Sequence, residues 1–355
     1  MPDSQLAILV TAIGGGGFGE QILKAVRIAD NDRYIVVGTD AQESCPQFDW
    51  VDVAAILPRV DQESYLEQVF SLCKRYDVKG VFPGCEAELK FFSAHRQAFS
   101  DRGITLFICS QNVIKNCLDK TRTNALLQKL GFEPPRYLKV TNREELSSID
   151  WFPVIVKPAV GAGGSANCFI AQSTNELLSL YDYINHGEDA GNFIVQEYVG
   201  TPAQEYTVGV LHDLDGNYIN AIALRRVLSG QLNIRTSVPN RIDKPELGEN
   251  LVISSGISQG YVGRFPQVTE ACAVIAKAIG VTGAVNIQCR LVDGKVKIFE
   301  INPRFSGTTS IRAMVGYNEP DVLIRRHLFS EIIPESFSYD ESLVLRGLVE
   351  YRINQ

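Results

Sequence analysis

Hydrophobic positions in the first third of the chain fall into short runs separated by stretches of helical period. The runs LAILVTAI (6–13), YIVVGTD (34–40), VKGVFPG (78–84) and ITLFICS (104–110) predict four strands. Between them EQILKAVRIA (20–29), YLEQVFSLCKRY (65–76) and ELKFFSAHRQAF (88–99) predict amphipathic helices. Alternation of this kind builds a parallel sheet with right-handed crossovers, so a doubly wound α/β domain is expected up to residue 115. A helix over 119–130 follows, stopped by Gly131 and Pro134-Pro135.

After that helix the pattern changes. PVIVKP (153–158), FIVQEYV (193–199), EYTVGVL (205–211) and YINAIALRR (218–226) read as strands with few long helices between them, which predicts an antiparallel α+β region. A helix over 268–279 precedes the strands AVNIQCRL (284–291) and VKIFEIN (296–302), joined at Asp293-Gly294. The C-terminal LVLRGLVEYRI is strand-like and suited to pairing within or between subunits.

Composition narrows the function classes. With 355 residues, 45% hydrophobic and 21% charged, the chain has the make-up of a globular protein of two or three domains. Its 34 Lys+Arg against 41 Asp+Glu give a net charge of −7, which argues against a nucleic-acid-binding surface while leaving room for a local phosphate site. The N-terminus lacks a basic signal-peptide region and no apolar run is long enough to span a membrane, so a cytoplasmic location is expected. Eight scattered cysteines without C-x-x-C spacing and four isolated histidines predict reduced thiols and no zinc site.

Two glycine clusters offer phosphate chemistry. Gly14–Gly19 contains a G-x-G-x-x-G match between strand and helix, and Asp40 ends the next strand, as in dinucleotide-binding domains. A tight strand–helix turn needs glycine for steric reasons as well. In the second cluster Lys157 ends a strand and Pro158 stops it; Ala-Val-Gly-Ala-Gly-Gly-Ser (159–165) then has the make-up of a flap whose amides fold over polyphosphate. Neither cluster is followed by G-K-[ST], so neither is a P-loop.

The densest signal is 284–304. Strand alternation places Glu300 and Asn302 on one face with Arg304 just beyond, an oxygen-rich face of the kind Mg²⁺ takes. Gln288 joins that face only if the hairpin register allows it. A two-residue loop at Asp293-Gly294 puts Gln288 and Glu300 on opposite faces, whereas a three-residue loop unites them, so the metal reading predicts an odd-length loop. The stretch 225–244 carries Arg225, Arg226, Arg235, Arg241 and Lys244 against Asp243, a local excess suited to phosphate or a substrate carboxylate.

Lys120 in LDKTRT, Lys157-Pro158 with GAGGS, Gln196-Glu197-Tyr198-Val199, Glu205-Tyr206-Thr207, Asn286-Ile287-Gln288 and Glu300-Ile301-Asn302-Pro303-Arg304 before FSGTTS form an ordered set. In this order they resemble the ATP-grasp superfamily, in the branch like the carbamoyl phosphate synthase large subunit. The resemblance runs from about 115 to 330 and implies a pre-ATP-grasp α/β domain over 1–115. A two-lobed α+β ATP-grasp domain would follow, with its small lobe over 116–190 and its large lobe and extension over 191–355.

It also implies roles. Lys120 and Lys157 would contact ATP phosphates, and Gly161, Gly163, Gly164 and Ser165 would form the flap. Glu197, Tyr198 and Val199 would hold the adenine edge, and Glu205 the ribose. Gln288, Glu300 and Asn302 would ligate Mg²⁺, with Mn²⁺ as a substitute; Arg304, with Lys157, would stabilise the transferring phosphoryl group. Arg226, Ser306, Gly307 and Arg312 would meet the carboxylate substrate, and residues near Glu86 and in 225–264 would shape its pocket.

The implied activity is ADP-forming ligation of a small-molecule or peptide carboxylate to an amine, without nucleic acid or membrane, and with a homodimer admitted. The chain is about one ATP-grasp unit long, which counts against carbamoyl phosphate synthesis by the chain alone. A regulatory or non-catalytic ATP-binding module and an NAD(P)-binding oxidoreductase are the alternatives.

Overall fold

The computed structural model describes residues 5–29, 32–161, 165, 167–185 and 192–351. In the N-terminal part, β1 (Leu6–Val10), α1 (Phe18–Ile28), β2 (Tyr34–Asp40), β3 (Val53–Ile56), α2 (Tyr65–Arg75), β4 (Gly80–Phe82), α3 (Glu86–Ala94), α4 (Arg96–Ser100) and β5 (Thr105–Leu106) follow in order. The strands form one sheet in the order β3-β2-β1-β4-β5, every pair parallel. This is the expected doubly wound sheet with one more strand than the hydrophobic runs predict. Strand β3 alternates half-buried and exposed residues at the sheet edge, so it carries no apolar run to announce it. The helix expected over 88–99 is two helices, with a break at His95.

Helices α5 (Gln111–Cys117) and α6 (Lys120–Lys129) lead into a four-stranded antiparallel sheet. It is built from β6 (Tyr137–Val140), β7 (Val154–Pro158), β8 (Phe169–Ala171), the helix α7 (Thr174–Asn185) and β9 (Phe193–Glu197), in the order β6-β9-β7-β8. The second antiparallel sheet is larger. Its elements are β10 (Glu205–His212), β11 (Tyr218–Arg226), then a separate hairpin β12 (Ile234–Pro239) and β13 (Asn250–Ser254), then β14 (Gly260–Gly263), α8 (Pro266–Ala278), β15 (Ala284–Val292) and β16 (Lys295–Asn302). Helices α9 (Thr309–Met314) and α10 (Glu319–His327) and strand β17 (Ser342–Val344) complete it, in the sheet order β16-β15-β10-β11-β14-β17. The strand-like C-terminus thus pairs within the chain, against β14.

The cores divide unequally. Leu9, Val81 and Phe92 of the parallel sheet share one buried cluster with Val208, Ile287 and Ile301 of the six-stranded sheet. Ile8, Ile22 and Phe82 share a second with Leu211, Ile311 and Leu323. The four-stranded sheet keeps a core of its own, including Val140, Val154, Leu177 and Val195. Burial of apolar surface therefore welds the N-terminal sheet to the six-stranded sheet, whereas the four-stranded sheet packs through Ile155 and Ile170 against Leu251 and Val238 of the β12–β13 hairpin.

Candidate active site

The 284–302 hairpin sets the chemistry. Its turn is the two-residue Asp293-Gly294 loop, with φ of 48° and 73°, and regular pairing runs Val292↔Lys295 to Cys289↔Ile298. The expected odd-length loop is therefore corrected. Phe299 is instead an extra residue in β16: the register shifts between Gln288 and Cys289, and Gln288 pairs with Glu300 and Asn286 with Asn302. A β-bulge performs the parity change assigned to the turn. Gln288, Glu300 and Asn302 consequently share one face, beside Thr207 of β10, which pairs with Gln288.

A cleft enclosing about 680 Å³ lies between that face and the four-stranded sheet. Lys120, at the start of α6, and Lys157, at the end of β7, line it together with Ser165, Cys168, Glu197, Tyr198 and Val199. Ile155, Val252, Ile253 and Phe299 supply apolar walls suited to a flat heterocycle. Asp119 caps α6 by accepting from the Thr121 and Arg122 amides, which fixes the Lys120 stem, and the Lys120 ammonium sits 4.0 Å from Glu300. Lys157 donates to Gln196 Oε1 at 2.6 Å and to the Phe299 carbonyl at 3.1 Å. Burial, then the Lys120 charge, push its pKa down to about 8. Ser165 donates to the Ser254 carbonyl at 2.8 Å; Gly161 does not line the cleft, and Gly163 and Gly164 lie outside the described residues.

Glu205 also lines the cleft, but both of its oxygens are engaged. Oε1 accepts from Arg226 at 3.2 Å, and Oε2 accepts from Arg290 at 2.9 and 3.2 Å. Burial raises the Glu205 pKa and the two guanidiniums outweigh it, leaving the carboxyl below its ordinary range. Arg226, expected as a substrate ligand, is instead buried against Glu205; its terminal nitrogens also donate to Ser254 Oγ and the Ser255 and Ile257 carbonyls, and its Nε has no partner among the described residues. Arg312, also expected at the substrate, is 1% exposed and bonded to Glu319 at 2.9 Å and Asn286 Oδ1 at 2.6 Å; it lies over Gly209 on the face of the sheet that carries Asn286, and does not line the cavity.

The basic 225–244 stretch is dispersed rather than gathered. Arg241 pairs with Glu176 at 2.6 Å, and Arg225 lies over the Phe265 ring on the far side of β11.

A second cavity of about 490 Å³ adjoins the first, and Ser165, Gln288 and Glu300 line both. Asn302, Arg304, Ser306 and Gly307 border it. Arg304 donates to Asn302 Oδ1 at 3.2 Å, pairs with Glu86 at 3.3 Å and lies 4.5 Å from the Phe18 ring centre. The N-terminal sheet thus reaches the site through Glu86 and Phe18. Sequence reasoning missed Arg290 and Phe299. Arg290 was findable, being two residues from Gln288 on the same strand; the bulged Phe299 had no signal.

The Gly14–Gly19 loop is filled by its own carboxylates. The Gly14 amide donates to Asp40 at 2.9 Å and the Gly16 amide to Glu20 at 3.1 Å. At Gly19 and Gly84 the α1 and β4 backbones approach so closely that a Cβ on either would collide with the Thr11 and Ala12 carbonyls. Gly14 and Gly19 are accounted for by packing, Gly15 and Gly16 by their positive φ of 72° and 73°, and Asp40 by holding the turn, so the dinucleotide reading loses its two supports.

The metal trio stands on an oxygen-donor test. The Gln288 side chain has no hydrogen-bond partner among the described residues and Glu300 faces the Lys120 and Lys157 charges, so each can present an oxygen to the junction of the cavities, while Asn302 Oδ1 already accepts from Arg304. One carboxylate with neutral amide oxygens fits Mg²⁺, which keeps several waters or phosphate oxygens in its shell. No cluster of three His, Cys, Asp or Glu side chains occurs among the described residues, so a thiolate–imidazole metal centre has no support there.

Residues 8–107 match the family model of the PylC-like N-terminal domain, and residues 254–339 match the ATP-grasp model of a biosynthetic pathway with the Ter operon. The chain is an ATP-grasp protein resembling the carbamoyl phosphate synthase large chain. To that large chain from Gemmatimonas aurantiaca it is 26% identical over 296 residues, covering 78% of this chain and 25% of the relative. This ATP-grasp chain therefore spans about a quarter of the length of that relative.

Among solved structures, Campylobacter jejuni biotin carboxylase in complex with βγ-ATP superposes with a TM-score of 0.65 at 16% identity, covering 91% of this chain and 70% of the other. N5-carboxyaminoimidazole ribonucleotide synthetase from Thermotoga maritima gives 0.60 at 16% identity, with 95% and 79% covered. These likenesses are of fold. No helix among the described residues is long and apolar enough to cross a membrane.

Proposed function

We propose that this ATP-grasp protein is an ADP-forming ligase that activates a carboxylate as an acyl phosphate and couples it to an amine. One observation carries the reading: two cavities of different character meet at Gln288 and Glu300, under Lys157 and Lys120 and beside Arg304. That is the arrangement an in-line phosphoryl transfer between two ligands requires.

ATP would lie in the larger cavity, its adenine against Ile155 and Val252 and its edge at the backbone of Glu197–Val199. Lys120 and Lys157 would neutralise its phosphates, and Ser165 would close over them with Gly161, Gly163 and Gly164. Gln288, Glu300 and Asn302 would hold Mg²⁺, or Mn²⁺ in its place; when bound, it supplies charge neutralisation for the polyphosphate. A carboxylate oxygen held at Arg304 attacks the γ-phosphorus, the bond to the ADP oxygen breaks, and ADP leaves with the electron pair. The amine nitrogen then attacks the acyl carbon, phosphate departs, and the nitrogen loses a proton to give the amide. Ser306 and Gly307, which line the second cavity with Glu300, would border the acid.

Glu205 would act on ribose only by sharing lone pairs with the arginines it already serves. A homodimer belongs to the same proposal: Leu343 and Leu345 are more than half exposed at the free edge of β17, which offers an apolar strand to a second copy.

The test is ADP release across paired panels of carboxylates and amines. It should require both partners and Mg²⁺, and Glu300→Gln should lower it at least 100-fold. Full turnover by that variant removes the metal assignment. Tight Mg-ATP binding with no turnover on any pair favours a regulatory module.

A further inference from the structure

Resting on the ligase reading, we propose that the carboxylate substrate is a compact acid whose body carries hydrogen-bonding groups, not an aliphatic or aromatic side chain. The cavity beside Arg304 differs in kind from the nucleotide cleft. Among the described residues that line it there is no aliphatic or aromatic side chain, whereas the cleft next door has six, among them Ile155, Val252 and Phe299.

Two short loops make its walls. Ser255, Gly256 and Ser258 stand on one side and Ser306, Gly307 and Thr308 on the other. They approach closely, since a Cβ on Gly307 would lie 3.1 Å from the Gly256 carbonyl. Arg346, from the segment after β17, ties the walls together. Its Nε donates to the Ser258 carbonyl at 2.9 Å, and its Nη2 donates to the Gly307 carbonyl and, at 3.0 Å, to Gln21 of α1. It forms no ion pair among the described residues, and Glu20 is the carboxylate that acts on its charge.

Several polar groups on this surface are unspent. The Ser258 hydroxyl has no hydrogen-bond partner among the described residues although Ser258 is 7% exposed. Arg304 Nε is buried and unpartnered. Asn286 gives its oxygen to Thr207 and Arg312, which leaves its amide nitrogen as a donor at the cavity. An acid with hydroxyl, amide or second acidic groups would satisfy these. An apolar acid would strip their water and return nothing, and sites built to hydrogen-bond reject such analogues far more strongly than apolar pockets reject polar ones.

The experiment uses the full chain with Mg²⁺ and the non-hydrolysable nucleotide AMPPNP, and measures by calorimetry the binding of acids matched in size. The pairs are glycerate with butanoate, L-threonine with L-valine, and L-aspartate with L-leucine. At least one polar member should bind tenfold or more tighter than its apolar partner. Ser258→Ala should weaken that member about 3–10-fold, and Ser258→Thr, which keeps the hydroxyl, should restore most of the loss. Equal or tighter binding of the apolar members overturns the inference, as does AMPPNP binding with no polar acid bound. Failure of AMPPNP itself to bind overturns the ligase reading beneath it.

Discussion

Lys157 is the side chain on which the electrostatics of the site turn. Its ammonium is buried among Gln196, the Phe299 carbonyl and the Lys120 charge, and burial followed by Lys120 lowers its pKa to about 8. A lysine is charged below its pKa, so phosphate attraction by Lys157 is complete near pH 7 and fades as pH rises through 8. The expected outcome is a kcat/KM for ATP that falls roughly tenfold per unit above pH 8. That limb should be absent in Lys157→Arg, whose guanidinium stays charged. A flat profile to pH 10 in the native protein would contradict it.

At this scale the sequence was most legible where residue type dictates role. Lys120, Lys157, Glu300 and Asn302 lie at the cavities, and Ser255, Gly256 and Ser258 line the second one, which Glu86 reaches only through its ion pair with Arg304. It was least legible for arginines. Arg226 and Arg312 look like anion ligands in one dimension, yet each balances a buried glutamate that only the folded sheet brings alongside. Pairing of that sort leaves no local pattern.

Among the elements, the 284–302 hairpin and the α1 turn are instructive in opposite ways. Both hairpin strands and the Asp293-Gly294 turn follow from apolar alternation and turn chemistry. The bulge at Phe299 does not, because an extra residue in one strand changes the facing of every later side chain without altering the composition. The glycine cluster shows the converse: a motif was visible, but its cause was packing. Gly84 and Gly19 let the β4–α3 loop and α1 meet the Thr11–Ala12 backbone. Gly84→Ala should therefore destabilise the protein by about 3 kcal/mol and lower the melting temperature by several degrees, with an equal drop whether or not nicotinamide nucleotides are present. Stabilisation of the native protein by NADH but not by Mg-ATP would revive the dinucleotide role. Strand β3 was invisible for a simpler reason, being a short, half-exposed edge.

For the whole molecule, the division of the cores matters most. The N-terminal and six-stranded sheets share two buried clusters, so Glu86, Phe18 and the face carrying Gln288, Glu300 and Asn302 form one platform. The four-stranded sheet, with Lys157, has its own core; it bonds the six-stranded sheet through Lys157 to Phe299 and meets the β12–β13 hairpin through Ile155, Ile170, Tyr198 and Leu251, with Ser165 bonded to Ser254 there. In the proposed ligase, closure of that body on ATP would carry Ser165, which lines both cavities, and would keep water from an acyl phosphate.

Formation of that acyl phosphate at the junction of the cavities is the central claim, and oxygen transfer tests it directly. The acid that best supports ADP release is labelled with ¹⁸O in its carboxylate, and the phosphate produced is examined by mass spectrometry or ³¹P NMR. One ¹⁸O per phosphate is expected, because the oxygen that attacks phosphorus leaves with it. Phosphate free of ¹⁸O, alongside acid-dependent ADP release, would contradict the claim.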